Sequence, residues 1–180
     1  MAKIEVEYRS ICSEEDYNRI MNFLLENGED LGEDDKDSSF YILDKKLLKV
    51  VKNISKNSAK ISLKLQEVGD GSGQEEFEYE IPIESVETAK EVFKHLGFTE
   101  RIDSYQKRHN FIYKGIEFAV KYSKDWSYHI EMEILIDSED ERAEAERKIE
   151  DVAKELGIKL MTDEEQKKLV EEIRSKNSSS

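Results

Sequence analysis

Two pairs of glutamates alternate with apolar residues, and each pair could present two carboxylates on one face of a strand. Glu5 and Glu7 lie near the N-terminus, and Glu131 and Glu133 lie in the second half of the chain. Strand residues separated by one position lie roughly 6 to 7 Å apart on the same face. Hard divalent cations such as Mg²⁺ and Mn²⁺ take oxygen ligands from carboxylates. These four glutamates are therefore candidate metal ligands.

Four basic residues occupy the polar faces of predicted strands in the same way: Arg9, Lys64, Arg108 and Lys121. The chain as a whole is acidic, with 28 Lys and Arg against 42 Asp and Glu and a net charge of -14. An anionic ligand would therefore have to be held locally, by converging cations or by metal ions that bridge the acids to the ligand. The alternative is that each polar face meets water or forms salt bridges and has no further role.

The elements that carry these residues predict the fold. At least five predicted strands have ionisable side chains at alternate positions, and the chain is long enough for about eight strands. Helices with apolar stripes are predicted over residues 85–96 and in the C-terminal region, where Thr162 and Glu165 form a capping box. Since these helices must cover apolar sheet faces, the charged faces point inward. The predicted fold is α+β, a closed eight-stranded antiparallel β-barrel with helices packed outside.

Length and composition limit the class of protein. The 180 residues, 37% of them hydrophobic, predict one globular domain over residues 1–175 and a disordered tail over residues 176–180. No segment approaches the ~20 apolar residues of a membrane helix, and no signal peptide is recognisable, which favours a cytoplasmic location without membrane binding. The negative charge disfavours nucleic acid as a partner. Cys12 is the only cysteine, which excludes an internal disulfide.

Three further features have structural interpretations. The acidic segment 29–37 is predicted to be an exposed, solvated loop. Trp126 is predicted to pack at a turn or at the rim of the barrel. His129 shares the inward parity of Glu131, so that it is either a general base or ligand, or a hydrogen-bonded structural histidine.

The charged strands resemble those of a known family. Glu5-Val-Glu7-Tyr-Arg9 is similar to the ExExK signature of the CYTH family, the triphosphate tunnel metalloenzymes. Further similar segments follow in the family's order over roughly residues 3–157: the Leu-Lys-Leu strand around Lys64, the Phe-Glu-Tyr-Glu strand, the helix ending in LGF, the Lys107-Arg108 strand and Ile130-Glu131-Met132-Glu133.

This resemblance implies an eight-stranded tunnel that binds a small-molecule triphosphate together with Mg²⁺ or Mn²⁺. Family members include class IV adenylyl cyclases, thiamine triphosphatases and inorganic tripolyphosphatases. By position, the metal ligands would be Glu5, Glu7, Glu131 and Glu133, and the phosphate-binding residues would be Arg9, Lys49, Lys64, Arg108 and Lys121. Glu5, Glu7 and Arg9 would be catalytic, with Glu80 and His129 as additional candidates.

The sequence also departs from the family pattern. Arg9 stands where the family has lysine, and an arginine cannot lose its proton, so that it could stabilise charge but not act as a general base. Val51 and Gln106 fill positions where a second cation is expected, and Lys121 replaces a frequent acidic residue. These differences predict a thinner phosphate clamp than is usual in the family.

Three functions are consistent with these residues. The first is a metal-dependent hydrolase of tripolyphosphate, thiamine triphosphate or a nucleoside triphosphate. The second is an adenylyl cyclase that converts ATP to cyclic AMP and pyrophosphate. The third is a catalytically silent module that binds polyphosphate or a nucleotide. The protein is expected to be a monomer or a homodimer.

Overall fold

A computed structural model describes residues 4–43, 46–65 and 73–177. One antiparallel sheet contains the nine strands of these ranges: β1 Ile4–Ile11, β2 Glu29–Glu33, β3 Lys36–Leu43, β4 Lys46–Asn53, β5 Ser58–Lys64, β6 Gly73–Ile81, β7 Arg101–Tyr113, β8 Ile116–Ser123 and β9 Ser127–Ile136. The α-helices are α1 Glu14–Asn27, α2 Val86–His95, α3 Arg142–Leu156 and α4 Asp163–Asn177. The predicted α+β class is confirmed.

The sheet is strongly curled. Its strand order is β2-β7-β3-β4-β5-β6-β1-β9-β8, and β8 also pairs with β7. Eight of these strands form the curled wall, as predicted, and β2 is an additional strand along β7. Among the described residues, β1 pairs with β6 only from Ile4 to Val6, whereas it pairs with β9 from Ile4 to Ile11. The wall is therefore a half-barrel, and the predicted closed barrel is wrong.

Apolar side chains on the convex face of the sheet pack beneath the helices. Val6 and Met132 are fully buried together with Ile20 of α1 and Ile149 of α3. A second cluster joins Tyr41 and Val50 of the sheet to residues of α2. This arrangement confirms the prediction that the apolar strand faces point outward to the helices.

The helix ends follow local sequence signals. Ser13 caps α1, because its Oγ accepts a hydrogen bond from the backbone N–H of Asp16 at 3.0 Å. The predicted capping box before α4 is confirmed: the Thr162 N–H donates to Glu165 Oε2 at 2.8 Å, and the Glu165 N–H donates to Thr162 Oγ1 at 3.2 Å. None of the described helices combines the length and the apolarity needed to cross a membrane.

Two predictions at the level of segments need correction. The acidic segment 29–37 is not an exposed loop, because Glu29–Glu33 forms β2 along β7 and Asp34 is only 3% exposed. The predicted tail begins too early, since α4 continues to Asn177. Residues 178–180 of that tail lie outside the described part of the chain.

Candidate metal and anion site on the concave face

The concave face of the sheet lines a cavity of about 530 Å³. All eleven residues predicted for the site line it: Glu5, Glu7, Arg9, Lys49, Lys64, Glu80, Arg108, Lys121, His129, Glu131 and Glu133. Alternation along each strand brings these side chains to one interior because every second residue of a strand points to the same face. The cavity is therefore rich in both carboxylates and cations.

Three of the glutamates form a cluster. One carboxylate oxygen from each of Glu5, Glu7 and Glu133 lies within 4.8 Å of the others. The register of β1 and β9 produces this contact, because Glu7 lies opposite Glu133. Burial, reinforced by Glu5 and Glu7, raises the pKa of Glu133 to about 8. Carboxylates this close repel one another when ionised, and their oxygens are a suitable donor set for Mg²⁺ or Mn²⁺.

Glu131 lies two residues from Glu133 but is surrounded by cations. Arg9 lies opposite Glu131 in the sheet, with its Nε 3.0 Å from Oε1. Lys121 Nζ and Arg108 NH1 lie 2.8 Å and 3.7 Å from Oε2. Burial alone would raise the pKa of Glu131, but Lys121, Arg9 and Arg108 hold it well below its usual value. Three of the four predicted metal ligands thus lie together, and the fourth lies among three cations.

The guanidinium of Arg9 lies among several acceptors. It is paired with Glu7 and Glu131, and its NH1 donates to the Gln166 side chain at 3.2 Å. It also lies 5.8 Å from the centre of the Trp126 ring. Burial alone would lower the pKa of Arg9, but Glu7 and Glu131 raise it above its ordinary value. Arg9 is therefore permanently charged and can stabilise negative charge without carrying a proton.

Lys64 bridges the acidic cluster to β6, and Lys49 contacts β6 alone. Lys64 Nζ lies 2.7 Å from Glu5 Oε2 and 3.5 Å from Glu7 Oε2, and it reaches Glu76 Oε2 at 3.4 Å. Lys49 Nζ lies 2.8 Å from Glu76 Oε1. Burial opposes the charge of both lysines, yet these glutamates raise the pKa of Lys64, whereas the pKa of Lys49 is lowered because Lys64 adds to the effect of burial.

His129 is 1% exposed, and its Nδ1 lies 2.9 Å from the carbonyl oxygen of Ser127. This contact is a hydrogen bond when Nδ1 carries the proton. Burial, together with the charge of Lys121, lowers the pKa of His129 to about 3. The imidazole is therefore neutral near pH 7 and a weak base. The geometry favours the hydrogen-bonded structural histidine over a general base.

Some lining residues were missed by the sequence analysis. Lys36, Lys56, Lys60 and Glu76 all line the cavity, so that its wall carries three lysines beyond the cations that the sequence analysis predicted. Glu76 lies an even number of positions from Glu80 in β6, and Lys36 begins β3. The alternation of side chains along a strand could therefore have predicted that both point into the cavity. Lys56 lies in the turn between β4 and β5, where no alternation marks a residue as inward.

Comparison with known proteins identifies the family. Residues 3–167 match the CYTH domain, and the chain therefore belongs to the CYTH family. None of the curated proteins compared with the chain matches it in sequence. The resemblance in the strand motifs is thus confirmed by the domain as a whole.

Solved structures share the fold. A conserved hypothetical protein from Pyrococcus furiosus is 26% identical, with a TM-score of 0.72 over 87% of this chain and 94% of that chain. A proposed adenylate cyclase from Vibrio parahaemolyticus is 13% identical, with a TM-score of 0.70 over 95% and 99% of the two chains. A proposed adenylyl cyclase from Hippeastrum with a dominant triphosphatase activity is 18% identical, with a TM-score of 0.61 over 88% and 89%. The last two likenesses concern the fold alone.

Proposed function

We propose that this protein is a metal-dependent hydrolase of a triphosphate-containing small molecule, such as tripolyphosphate, thiamine triphosphate or a nucleoside triphosphate. One observation carries the proposal: a cluster of three carboxylates shares a cavity with many cations. A polyphosphate chain needs both, because cations contact its oxygens directly and a metal ion bridges it to carboxylates.

The carboxylate cluster would hold the metal. Glu5, Glu7 and Glu133 would bind Mg²⁺ or Mn²⁺, which when bound polarises a phosphoryl group and orients the attacking oxygen. Glu131 would join this set only by giving up one of its ion pairs. We therefore place Glu131 with the cations, where it would orient Arg9 and Lys121.

The cations would bind and orient the phosphate chain. The proposed phosphate-binding residues are Arg9, Lys49, Lys64, Arg108 and Lys121. Burial lowers the pKa of Lys121 to about 8, although Glu131 acts to raise it. Lys121 is therefore mostly protonated near neutral pH. Arg9 would stabilise the charge that develops on the transferred group, because its own charge does not change with pH. Glu80, an exposed lining residue, would assist at the edge of the cavity.

A substrate panel tests the proposal. The purified protein is incubated with Mg²⁺ or Mn²⁺ and with tripolyphosphate, thiamine triphosphate or ATP. Orthophosphate without cyclic AMP is the expected result, and chelation of the metal is expected to abolish it. Cyclic AMP and pyrophosphate from ATP would instead support a cyclase. Inertness toward all three substrates would reject both enzymatic functions.

One observation favours a second candidate, a catalytically silent binding module. Arg9 replaces the family's lysine, and its guanidinium is already engaged by Glu7, Glu131 and Gln166. Calorimetric binding of tripolyphosphate without turnover would support this candidate. A gain of turnover in Arg9→Lys would identify the arginine as the reason for the silence.

A further inference from the structure

Asp34, in the short loop between β2 and β3, is the centre of a basic cluster. Its side chain is only 4% exposed. Its Oδ2 lies 2.9 Å from Lys36 Nζ and 3.4 Å from Arg108 Nε, and its Oδ1 lies 2.9 Å from Lys56 Nζ. We call Asp34, Lys36, Lys56 and Arg108 the Asp34 cluster.

Two amides complete the surroundings of the Asp34 carboxylate. The Asn53 side chain donates to Oδ1 at 2.6 Å, and the Asn110 side chain donates to Oδ2 at 3.1 Å. The donors thus come from β3, from the end of β4 and the turn after it, and from β7. Burial alone would raise the pKa of Asp34, but Lys36, Lys56 and Asn53 hold it below its usual range. Asp34 is therefore a buried, ionised carboxylate that connects three elements.

The Asp34 cluster retains an excess of positive charge. Among the described residues, Asp34 is the only carboxylate within ion-pair distance of Lys36 or of Lys56. One carboxylate therefore balances two lysines, and both lysines line the cavity. Ammonium groups with spare donors in a cavity are suited to bind an anionic group such as a phosphoryl group.

The Asp34 cluster lies across the cavity from the carboxylates Glu5, Glu7 and Glu133. The carboxylates belong to the neighbouring strands β1 and β9, whereas the Asp34 cluster is built from β3, β7 and the turn after β4. At least two strands separate β1 from β4, and β8 separates β9 from β7. Arg108 extends toward the acidic side, since its NH1 lies 3.7 Å from Glu131 Oε2. A ligand that contacts both the carboxylates and the two lysines must therefore reach over the strands between them.

We propose that Asp34 is a positioning residue that holds Lys36 and Lys56 as an anion subsite for the phosphoryl group farthest from the carboxylate cluster. The identity of this ligand rests on the function proposed above. Burial and the charge of Arg108 lower the pKa of Lys36, and Asp34 opposes this shift. The two ion pairs at 2.9 Å hold both ammonium groups in the cavity wall.

Binding of inorganic tripolyphosphate, measured by calorimetry in the presence of EDTA, tests the subsite without turnover. Asp34→Asn is expected to weaken binding at least ~10-fold, as for the loss of a charged hydrogen-bonding partner. Asp35→Asn is the matched control, since it removes the adjacent negative charge. The Asp35 carboxylate accepts from the Arg108 backbone N–H and the Tyr105 hydroxyl and does not contact the lysines. The affinity of this variant is expected to stay within about twofold of the wild type.

A second variant keeps the test decisive if Asp34→Asn does not fold. The Lys56 side chain is 54% exposed, so that Lys56→Gln is expected to fold and to weaken tripolyphosphate binding about 5- to 10-fold. Lys52→Gln is its control, because Lys52 is exposed and lies on the opposite face of β4 from the lining residues Lys49 and Val51. It removes the same charge from the chain and is expected to leave the affinity unchanged.

Pyrophosphate separates positioning from a merely structural role. It has one phosphoryl group fewer and so occupies fewer anion-binding positions, and Asp34→Asn and Lys56→Gln are therefore expected to weaken its binding less than that of tripolyphosphate, whereas a general loss of structure would weaken both equally. Equal losses, or wild-type affinity in both variants, would overturn the subsite. So would a wild-type protein that does not bind tripolyphosphate. Asp34-dependent binding without orthophosphate release in Mg²⁺ would instead reject the hydrolase and leave the subsite standing.

Discussion

Glu131 and Glu133 illustrate how little a spacing motif says about the role of each residue. Both project from the same strand into the same cavity, yet the pKa of Glu131 is lowered and that of Glu133 is raised to about 8. The difference arises from the residues across the strand pair, which are Arg9 for Glu131 and Glu7 for Glu133. Opposite neighbours turn one glutamate into an ion-pair partner and the other into a candidate ligand.

Loss of one carboxylate from the cluster is expected to impair catalysis. Glu5→Gln and Glu133→Gln should each lower the rate of orthophosphate release at least ~100-fold, as for removal of a charge-stabilising catalytic group. The rate is measured at a fixed, high concentration of Mg²⁺ or Mn²⁺. Glu144→Gln, at an exposed position of α3, serves as the control and should retain the wild-type rate. Unchanged rates in both cluster variants would exclude the proposed metal site.

The raised pKa of Glu133 predicts a pH dependence of stability in metal-free protein. Its protonated form is favoured on folding, so its contribution is complete below the pKa of the unfolded carboxyl and is lost as the pH rises toward about 8. Relative to Glu133→Gln, the wild-type free energy of unfolding should fall by up to about 1.4 kcal/mol per pH unit. Urea unfolding in EDTA across this range measures the difference. Parallel pH profiles for the two proteins would contradict the predicted coupling.

At the scale of elements, the end of α3 depends on backbone conformation. Gly157 has a φ of 67°, in the left-handed region, and an added Cβ would meet only Arg19 NH2 at 3.8 Å. The same Arg19 donates to the Leu156 carbonyl at 2.9 Å, which satisfies a carbonyl at the end of the helix. Space is therefore available for a methyl group, and the cost of replacing this glycine is conformational.

Gly157→Ala is expected to lower the free energy of unfolding by about 1–2 kcal/mol, which is the cost of a left-handed conformation for a residue with a Cβ. Chemical denaturation of the purified variant measures the change. Lys159→Ala, two residues further along at an 85% exposed side chain, is the control and should differ little from the wild type. A variant as stable as the wild type would show that the left-handed conformation of residue 157 does not require glycine.

At the scale of the whole molecule, the net charge of -14 and the clustered carboxylates make the folded state sensitive to cations. A ligand that binds only the folded protein stabilises it, by about 2.7 kcal/mol at 100 times its dissociation constant. For a chain of this size the corresponding rise in Tm is roughly 5–10 °C. MgCl2 or MnCl2 is therefore expected to raise the Tm more than NaCl of the same ionic strength.

The specific part of this stabilisation should depend on the carboxylate cluster. Glu5→Gln is expected to lose the difference between the divalent salts and NaCl, whereas Glu144→Gln should retain it. Thermal unfolding monitored by circular dichroism gives the Tm in each case. Equal effects of the two kinds of salt on the wild type would indicate only general screening of the surface charge.

Alternation along the strands accounts for most of what could be predicted. It placed Glu5, Glu7 and Arg9 on one face, and the apolar stripes of the helices required that face to point inward. Both inferences need only local geometry, because side chains alternate in a strand whatever its partners are. The prediction of an exposed loop over residues 29–37 was wrong because Asp34 is buried by residues of distant elements. No local sequence pattern indicates such contacts.

The sequence by itself thus determined the α+β class, the strand faces and the family, because these depend on periodicity and on motifs read in order. Only the tertiary structure decided how the charges are shared: which glutamate meets Arg9, which meets Glu7, and which lysines gather around Asp34. The physical reason is that the sign of a pKa shift depends on charges within a few ångströms, and register and curl set those distances. The closure of the wall also depends on register, and in the described part of the chain β1 pairs with β6 only from Ile4 to Val6.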